Sequence, residues 1–514
     1  MSFMDQLPIL IIAVPLLGAF LTPILGMMSK KLPRYTSTLF LAVSALLVAL
    51  MAFEVYGGDG TPIIYTLGSS DPTPFRIVLE IDAFSVFMAI IMAGVSLAVS
   101  IYSWSFTDKY TGQDKFYTLI LLVVVGSYGM TLTGDLFNLF VFFEISSIAL
   151  SGLVAFRMNR GESFEAAFKY MMYSTLSGLF LLFAIALLYS QYGVLNIALL
   201  AQGITADGFT PLNKVVLALL IGDFAMKAGA VPLHMPSPYA YSESPGGIST
   251  LFMAASQAGL YGLFRASFTL FGGAISSMGY AAVGWIVIIL GVLSMFIGVT
   301  MALVQKDVKR LMAYHCISQT GYILLGVGVG IAVLGDATAM DRYGKAAIEG
   351  GLFHTINNAL YKGLLFLTAG AMFYATGTRN LNEMRGLGHN MKITTMFFLI
   401  GAIAISGIPP SNGFSSKLLI YESVFQFNPA LSAIAMFVSV LTLASFVKVF
   451  YSAFLGPKMK DKEIKEVPSS MIFGMAILVA AILAFSLFPG LVLDTLIKPA
   501  VEALLRAWPI PGGV

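Results

Sequence analysis

The sequence predicts an all-α, polytopic membrane protein, and its composition and the spacing of its apolar segments carry that prediction. Of its 514 residues, 58% are hydrophobic and 11% are charged, which is more apolar surface than a soluble core of this length buries. Apolar runs of about 20 residues, each long enough to cross a bilayer as a helix, recur along the chain. Short polar connections separate them. Lipid is therefore the expected solvent for most of the surface.

The apolar runs predict about 14 transmembrane helices, numbered here as spans 1 to 14. The first run starts almost at Met1 without a small-residue cleavage site, so we interpret it as a retained helix and not as a signal peptide. No long linker divides the chain, and residues 1–514 are expected to form one integral membrane domain. The predicted extents are 5–28, 35–55, 82–105, 115–132, 134–156, 165–190, 212–238, 247–272, 276–304, 309–333, 346–375, 393–424, 430–455 and 470–494.

Basic residues are distributed unequally between the connections. The odd-numbered connections hold seventeen Lys and Arg residues, and the even-numbered connections hold only Arg76, Lys214, Arg342 and Lys345. Because positively charged loops stay in the cytoplasm, this asymmetry predicts a plasma-membrane protein whose two termini both lie outside. The seventeen are Lys30, Lys31, Arg34, Lys109, Lys115, Arg157, Arg160, Lys306, Lys309, Arg310, Arg379, Arg385, Lys392, Lys458, Lys460, Lys462 and Lys465.

Two pairs of segments indicate an internal repeat. AFKYMMYST is similar to LYKGLLFLT, and their lysines, Lys169 and Lys362, are 193 residues apart. Lys227 in span 7 matches Lys417 in span 12 at a separation of 190, and both lie beside a pair of prolines. An offset of five helices reverses direction across the membrane, so the two halves are expected to be inverted repeats. Chance similarity in a low-diversity sequence is the alternative.

Ionisable side chains fall inside several predicted spans. A charge at mid-bilayer costs a few kcal/mol or more unless it faces protein or water, so such residues are functional candidates. Local ion pairing or snorkelling is the alternative for Asp223, Arg265 and Lys169. The candidates for a proton pathway are Glu144 in span 5, Lys227 in span 7, His354 and Lys362 in span 11 and Lys417 in span 12, with Asp223, His234, Arg265 and Lys169 as secondary candidates.

The spacing of these residues suits proton transfer through water. His354, Asn358 and Lys362 are four residues apart and line one face of span 11. A lysine amine can bind or release a proton, and a nearby carboxylate favours the protonated form, so a glutamate beside a lysine can control when it holds its proton. His315, near the end of span 10, is more simply interpreted as a hydrogen-bonded structural residue.

Prolines are expected to break spans 7 and 12. A proline cannot donate a backbone hydrogen bond, and its ring clashes with the preceding turn, so the helix opens and frees carbonyls that water can solvate. Pro232 and Pro236 follow Lys227, and GIPPSNG precedes Lys417. Water is therefore expected beside both lysines.

Together these segments resemble the antiporter-like subunits shared by respiratory complex I, Mrp-type Na⁺/H⁺ antiporters and archaeal membrane-bound hydrogenase or sulfane sulfur reductase complexes. The resemblance covers about residues 80–455 and lies in FFEISSIA, the span 7 lysine with its PLH, KRLMAYHCISQTGYI, NNALYKGLLFLTAG and GIPPSNGFSSKLLI, in that order. It implies two inverted five-helix repeats, spans 4–8 and 9–13, with broken helices 7 and 12. The implied divisions are N-terminal helices 1–3 at 1–110, the repeats at 111–272 and 273–455, and the last helix and tail at 456–514.

The resemblance also implies roles for single residues. Glu144 and Lys227 would form the pair whose separation or closure drives the cycle. Lys362 would be the central relay with His354 beside it, and Lys417 would control exit. The chain departs from the family pattern PLHxWLPDAH in PLHMPSPYAY, which loses the aromatic, the acid and the second histidine of that pattern and has Tyr239 and Tyr241 at the last two of these sites. It also has Asn358 where some relatives have histidine, and Arg265, which cannot release a proton, in place of a lysine.

The predicted function is proton translocation, with Na⁺ exchange left open, by a non-catalytic subunit that works with other membrane subunits, including antiporter-like and small Mrp-like ones. The favoured assignment is an Mrp D-like subunit of an archaeal-type respiratory complex. A stand-alone Mrp antiporter, a complex I subunit, a solute transporter and a structural anchor remain alternatives. Four histidines and the single Cys316 leave no cluster for a metal, haem or iron–sulfur cofactor, and a net charge of +3 does not favour nucleic acid. The sequence does not decide whether the chain belongs to an oxidoreductase.

Overall fold

The computed structural model describes residues 4–58, 60–67, 77–157, 160–275, 277–458 and 463–509. Three basic residues used in the charge count, Arg76, Lys460 and Lys462, lie outside the described residues. The described chain is overwhelmingly helical. In order, the helices are α1 (Leu7–Met28), α2 (Leu32–Gly57), α3 (Ala83–Thr107), α4 (Gln113–Leu132), α5 (Leu136–Val154), α6 (Gly161–Tyr192), α7 (Ile197–Asp207), α8 (Pro211–Ala228), α9 (Ser237–Glu243), α10 (Gly246–Phe264), α11 (Ser277–Val304), α12 (Val308–Ala332), α13 (Ala337–Ala339), α14 (Lys345–Thr376), α15 (Lys392–Ser406), α16 (Asn412–Phe427), α17 (Pro429–Phe454), α18 (Ser469–Leu487), α19 (Pro489–Val492) and α20 (Lys498–Leu505).

The helices agree with the predicted fold class. Within the described ranges, ten helices are long and apolar enough to cross a membrane. Predicted spans 7, 8, 11 and 12 coincide with helices that are interrupted or that carry buried polar side chains: α8 with α9, α10, α14, and α15 with α16. The polytopic α-helical fold is therefore confirmed, and the number of fourteen spans stays a prediction.

Both predicted helix breaks are present. The first lies between α8 and α9, and the second lies between α15 and α16. Each begins at a glycine in the left-handed conformation, Gly229 with φ +71° and Gly407 with φ +71°. Glycine ends a helix in this way because it has no Cβ to clash, and the prolines that follow cannot continue the helical hydrogen bonds.

Hydrogen bonds between connections sort them into two groups. Odd-numbered connections bond to one another, as in Arg34 to Asp108, Val308 N–H to Arg379 O and Gly386 N–H to Leu455 O. Even-numbered connections bond to one another, as in Gly134 N–H to Val78 O, Leu136 N–H to Leu195 O and Ile197 N–H to Gly134 O. Spans that alternate in direction place their connections in this way, so the segregation supports the predicted alternation.

The structure adds elements that the sequence-based prediction missed. The connection predicted as a polar loop contains an antiparallel hairpin, β1 (Ile63–Leu67) and β2 (Ile77–Ile81), in which Ile64 pairs with Glu80. A π-helical turn, Arg265–Leu270, continues α10. Predicted span 14 is interrupted, because α18 ends at Leu487 and is followed by α19 and a π turn, Leu493–Ile497, and the predicted C-terminal tail forms α20. Strands of five residues give too short a pattern to distinguish from other apolar segments.

Candidate functional site

Three helices bring Glu144 and Lys227 together. Glu144 lies on α5, half-buried, and its Oε1 rests against α6 where a Cβ on Gly178 would be only 2.2 Å away. Lys227 lies on the last turn of α8 and donates a hydrogen bond to Ser147, one turn after Glu144. The Lys227 Nζ is also 4.2 Å from the centroid of the Phe143 ring. The carboxylate and the amine therefore share one short stretch of α5.

Asp223 lies one turn before Lys227 and is fully buried. Its carboxylate accepts a hydrogen bond from Ser177 of α6, and its Oδ2 has no hydrogen-bond partner among the described residues. The local ion pair that the sequence offered as an alternative is replaced by a different arrangement, because the Lys227 amine is directed to α5. Asp223 thus adds a second buried carboxyl group on the helix that carries Lys227.

A small polar cavity, called the central cavity below, lies between the first helix break and α10, α12 and α14. Its lining includes Gly229 and Ser237 at the first helix break, Gln257 on α10, Thr320 on α12 and Asn358 on α14. It has about 10 Å³ of space for the centre of a water molecule, close to what one water needs. Within the described chain, Gln257 Oε1 and Asn358 Oδ1 are buried without a hydrogen-bond partner. The cavity thus joins the break beyond Lys227 to the helix that carries Lys362.

Lys362 and His354 lie on α14, and neither has exposed surface. The Lys362 Nζ donates to the backbone carbonyl of Met312 at 2.8 Å. The His354 Nδ1 lies 3.0 Å from Ser416 Oγ, and its Nε2 lies 3.1 Å from Gln319 Oε1. His354 therefore connects α14 to both α12 and α16, and the predicted polar face of span 11 is buried inside the protein.

Lys417 lies next to Ser416 on α16, just after the second helix break, and its side chain is 1% exposed. Its Nζ donates to Ile405 O at 2.8 Å and to Ser439 Oγ at 3.1 Å, and lies 4.7 Å from the centroid of the Tyr322 ring. The carbonyl is one that the end of α15 leaves free of the helical ladder. The break thus supplies the acceptor for the buried amine.

The secondary candidates have different environments. Lys169 on α6 has a side chain that is 42% exposed and pairs with Glu165, whereas Lys362, its counterpart in the similar segment, is fully buried. His234 is half-buried in the turn between α8 and α9. Arg265 is buried at the far end of α10, where it pairs with Asp82. The structure thus separates Lys169 and Arg265 from the other candidates, Glu144, Lys227, His354, Lys362 and Lys417, which are called the row below.

His315 on α12 is fully buried. Its Nε2 lies 2.8 Å from Ser445 Oγ, and its ring packs against Phe446 with a centroid distance of 4.8 Å. One ring nitrogen is therefore hydrogen-bonded, as the structural interpretation expects, whereas Nδ1 has no hydrogen-bond partner among the described residues.

Three basic side chains that the sequence did not single out hold the end of α9, the second half of the first broken helix. Arg157, Lys309 and Arg379 donate to the backbone carbonyls of Glu243, Ser244 and Ser242, respectively. Arg379 also pairs with Glu243 at 2.8 Å and with Asp307 at 3.1 Å. Burial would raise the pKa of Glu243, but the guanidinium of Arg379 outweighs it and holds that pKa below its usual value. Cations at a helix C-terminus are stabilising because the last carbonyls carry partial negative charge.

Sequence reasoning found the charged groups of the row but missed the neutral groups between them. Ser147, Gln319, Tyr361, Ser416 and Ser439 each lie within hydrogen-bond distance of one of the charged or imidazole groups. Each is a polar residue in an apolar span, which is a visible signal, but many other serines and threonines bond only to the carbonyl of the preceding turn. The sequence could not tell the two kinds apart.

The fold and this row define an antiporter-like integral membrane protein: a helical bundle with two broken helices and buried lysines at both breaks. The family described as "NADH:quinone oxidoreductase/Mrp antiporter, TM" matches residues 133–442, and the chain belongs to it. The matched range includes Glu144, Lys227, Lys362 and Lys417.

Individual relatives confirm the resemblance drawn from the motifs. The chain is 34% identical to the D-type subunit of an Na⁺/H⁺ antiporter from Alkalihalophilus pseudofirmus, over 90% of this chain and 89% of that protein. It is 30% identical to the N-type subunit of the NADH-quinone oxidoreductase from Desulforudis audaxviator, over 98% and 99%. Among solved structures, a chain of the membrane-bound sulfane sulfur reductase, an archaeal respiratory membrane complex, matches with a TM-score of 0.86 and 30% identity, over 98% of both chains.

Proposed function

We propose that this chain is a proton-translocating subunit of a multisubunit membrane complex, and that Glu144, Lys227, His354, Lys362 and Lys417 form its proton pathway. The observation that carries the proposal is the burial of three lysines in one row, with exposed fractions of 8%, 0% and 1%. A charged amine is expensive at membrane depth and is retained where it works. Two of these amines are held by backbone carbonyls and not by carboxylates, an arrangement that allows the proton to leave.

Each group has a chemical role in the proposed pathway. Glu144 stabilises the protonated form of Lys227, and Ser147 holds that amine in place. Water in the central cavity carries the proton towards Asn358 and Lys362. Coulomb repulsion between neighbouring ammonium groups then makes occupancy of one lysine depend on the next. His354 links Lys362 to Lys417, which lies at the second break.

We infer that the complex is of the archaeal respiratory type, with this chain as its Mrp D-like subunit. The match to the sulfane sulfur reductase chain over 98% of both lengths supports that assignment. The similarity to the D-type subunit of an Na⁺/H⁺ antiporter supports a stand-alone antiporter as the second candidate. In both cases other membrane subunits, antiporter-like and small Mrp-like ones among them, are the expected partners. Sodium uptake measured with and without a proton gradient distinguishes a coupled exchanger from a proton pathway.

The proposed topology places both termini outside the plasma membrane. It divides the chain into N-terminal helices at 1–110, inverted repeats at 111–272 and 273–455, and a last segment at 456–514. The separate grouping of odd and even connections supports the alternation of the spans, and the excess of basic residues in the odd connections supports the orientation. Cysteines introduced at exposed positions of odd and even connections, labelled from one side of intact cells, test it directly.

Substitution of Lys227 tests the function. In vesicles that hold the assembled complex, Lys227→Ala is expected to abolish coupled proton transport while all subunits remain assembled, because no other amine replaces it beside Glu144. Lys169→Ala is the matched control, since this lysine is exposed and paired with Glu165, and it should transport normally. Normal proton transport in both Lys227→Ala and Lys362→Ala complexes would refute the proposed function and favour a structural anchor.

A further inference from the structure

Glu80 is a buried carboxyl group that the proposed pathway does not use. It lies on β2 with no exposed surface, and among the described residues neither carboxylate oxygen has a hydrogen-bond partner. Gly134 makes room for it, because a Cβ there would be 3.3 Å from Glu80 Oε2. A buried carboxylate without hydrogen bonds is costly, and the neutral acid avoids that cost.

The ion pair between Arg265 and Asp82 lies beside Glu80. Because these two side chains match each other's charge, Glu80 is the group that can gain or lose a proton. Arg265 donates to Asp82, which also accepts from Ser85 N–H at 2.9 Å and from Trp508 Nε1 at 3.0 Å. The charge of Asp82 is therefore fully matched. Burial alone would raise the pKa of Asp82, but Arg265 outweighs it and keeps that pKa below its usual value. Burial, opposed by Arg265 and assisted by Asp82, raises the pKa of Glu80 to about 8.

Glu80, Asp82 and Arg265 are called the Glu80 cluster below. A line of polar side chains on α10 runs from this cluster to the central cavity. Gln257, Tyr261 and Arg265 are spaced four residues apart, so successive members lie on adjacent turns of one helix side. Gln257 lines the central cavity. The Tyr261 hydroxyl donates to Thr131 O at 2.8 Å and lies 3.1 Å from Arg265 Nε and 3.2 Å from Ser85 Oγ. Polar groups thus continue from the centre of the bundle to the ion pair beside Glu80.

The other side of the cluster faces a cavity of about 740 Å³. Thr269 and Trp508 both line this cavity and both contact Arg265: its Nη1 is 3.4 Å from Thr269 Oγ1, and its Cζ is 4.5 Å from the Trp508 ring. Trp508 lies in the segment that follows α20. In the same segment, Arg506 donates a hydrogen bond to Gly60 O at 2.6 Å, which helps to hold Trp508 in position. Trp508 therefore stands between the large cavity and the buried charges.

We propose that Glu80 is a further proton-holding group, at the outer end of a side branch that leaves the central cavity along α10, and that Trp508 caps this end. The inference rests on the proposed function. The Glu80 acid gives its proton to water in the large cavity, and Arg265 stabilises the carboxylate that remains. A new proton comes from water of the central cavity through the Tyr261 hydroxyl, while Arg265 keeps its own protons. The reverse sequence loads Glu80 from outside.

Other ionisable groups lie near β2. Burial raises the pKa of Asp135, which precedes α5, to about 6, so it is ionised before Glu80 loses its proton. Besides Arg265 and Asp82, the ionisable groups near β2 are Tyr65 on β1, Tyr128 on α4, Tyr56 on α2, which bonds to Ala83 O, Tyr261 on α10, which lies beside Ser85, Asp135 before α5, and Arg506, which bonds to Gly60 O.

Infrared spectroscopy and transport measurements on the complex test the proposal together. Difference spectra between two buffers that bracket the Glu80 pKa of about 8 should show loss of a protonated-carboxyl C=O band. Glu80→Gln should remove that band, and the matched control Glu54→Gln, at an exposed site on α2, should keep it. The transport rate is also measured as a function of the pH outside the vesicles. The wild type and Glu54→Gln should show an inflection near pH 8, and Glu80→Gln should not. Trp508→Ala should speed the shift of the band in heavy water.

The outcomes separate this inference from the function on which it rests. A wild-type spectrum in Glu80→Gln overturns the proposal, and so does a lost band with an unchanged pH profile. Lys227→Ala is measured in the same preparation: if it is inactive while Glu80→Gln behaves as wild type, only the side branch is wrong. If Glu80→Gln fails to assemble, Glu80→Asp keeps an acid at the site. A C=O band at a shifted pH is then expected, and its absence overturns the proposal.

Discussion

Replacing Gly178 by alanine tests whether the position of the Glu144 carboxylate controls transport. A Cβ at residue 178 would lie 2.2 Å from Glu144 Oε1 and 3.2 Å from its Cδ. Ordinary non-bonded contact needs about 3.5 Å, so the carboxylate must retreat by about 1 Å. The atom that must move is the end of a flexible side chain, and alanine in a helix interior gains about 0.5–1 kcal/mol over glycine. The variant should therefore fold and assemble.

Transport should nevertheless fall, because a misplacement of about 1 Å in a reacting group can cost about 10²-fold in rate. We expect Gly178→Ala to lower proton transport by about tenfold to about 10²-fold. The assay is the rate of pH change inside proteoliposomes that hold the assembled complex and a trapped pH-sensitive dye. Gly222→Ala on α8 is the matched control, since a Cβ there meets nothing within 4 Å, and it should transport normally.

A double substitution makes the test sharper. Glu144→Asp shortens the side chain by one methylene group, so alanine at 178 no longer meets the carboxylate. The further loss caused by Gly178→Ala should then be much smaller in the Glu144→Asp background than in the wild type, as expected for two residues in contact. Losses that simply multiply, or wild-type transport in Gly178→Ala, would refute the assignment of Glu144 to the pathway.

Two further substitutions address the cavity and the end of α9. Gln257→Leu removes a polar group from the lining of the central cavity and the hydrogen bond that Gln257 donates to Thr355 O. One lost hydrogen bond is worth about 0.5–1.5 kcal/mol, so transport should slow about two- to tenfold. Gln426→Leu, at an exposed position on α16, is the control and should not slow it; equal rates in the two variants would show that the cavity does not carry the proton. Arg379→Gln leaves Glu243 without its cation in a partly buried site and should destabilise the complex by about 1–3 kcal/mol, seen as a lower melting temperature, while exposed Arg385→Gln should melt as the wild type does.

The two similar segments around Lys169 and Lys362 show that local sequence similarity does not predict burial. Lys169 and Lys362 lie in closely similar segments, yet the first is exposed beside Glu165 and the second is fully buried against Met312 O. Sequence similarity describes the helix that carries a residue, whereas burial depends on which other helices pack against it. The similar pair Lys227 and Lys417 does share an environment, since both are buried at a helix break.

The sequence by itself determined the class of protein, the family, both broken helices and the charged members of the row. These follow from local properties: apolar length, prolines that cannot continue a helix, and charges too costly to leave in lipid. The tertiary structure alone decided which neutral groups hold those charges, where the central cavity lies, and how Trp508 reaches Asp82, 426 residues away in the chain. Such contacts depend on packing between helices far apart in sequence, and no local pattern records them.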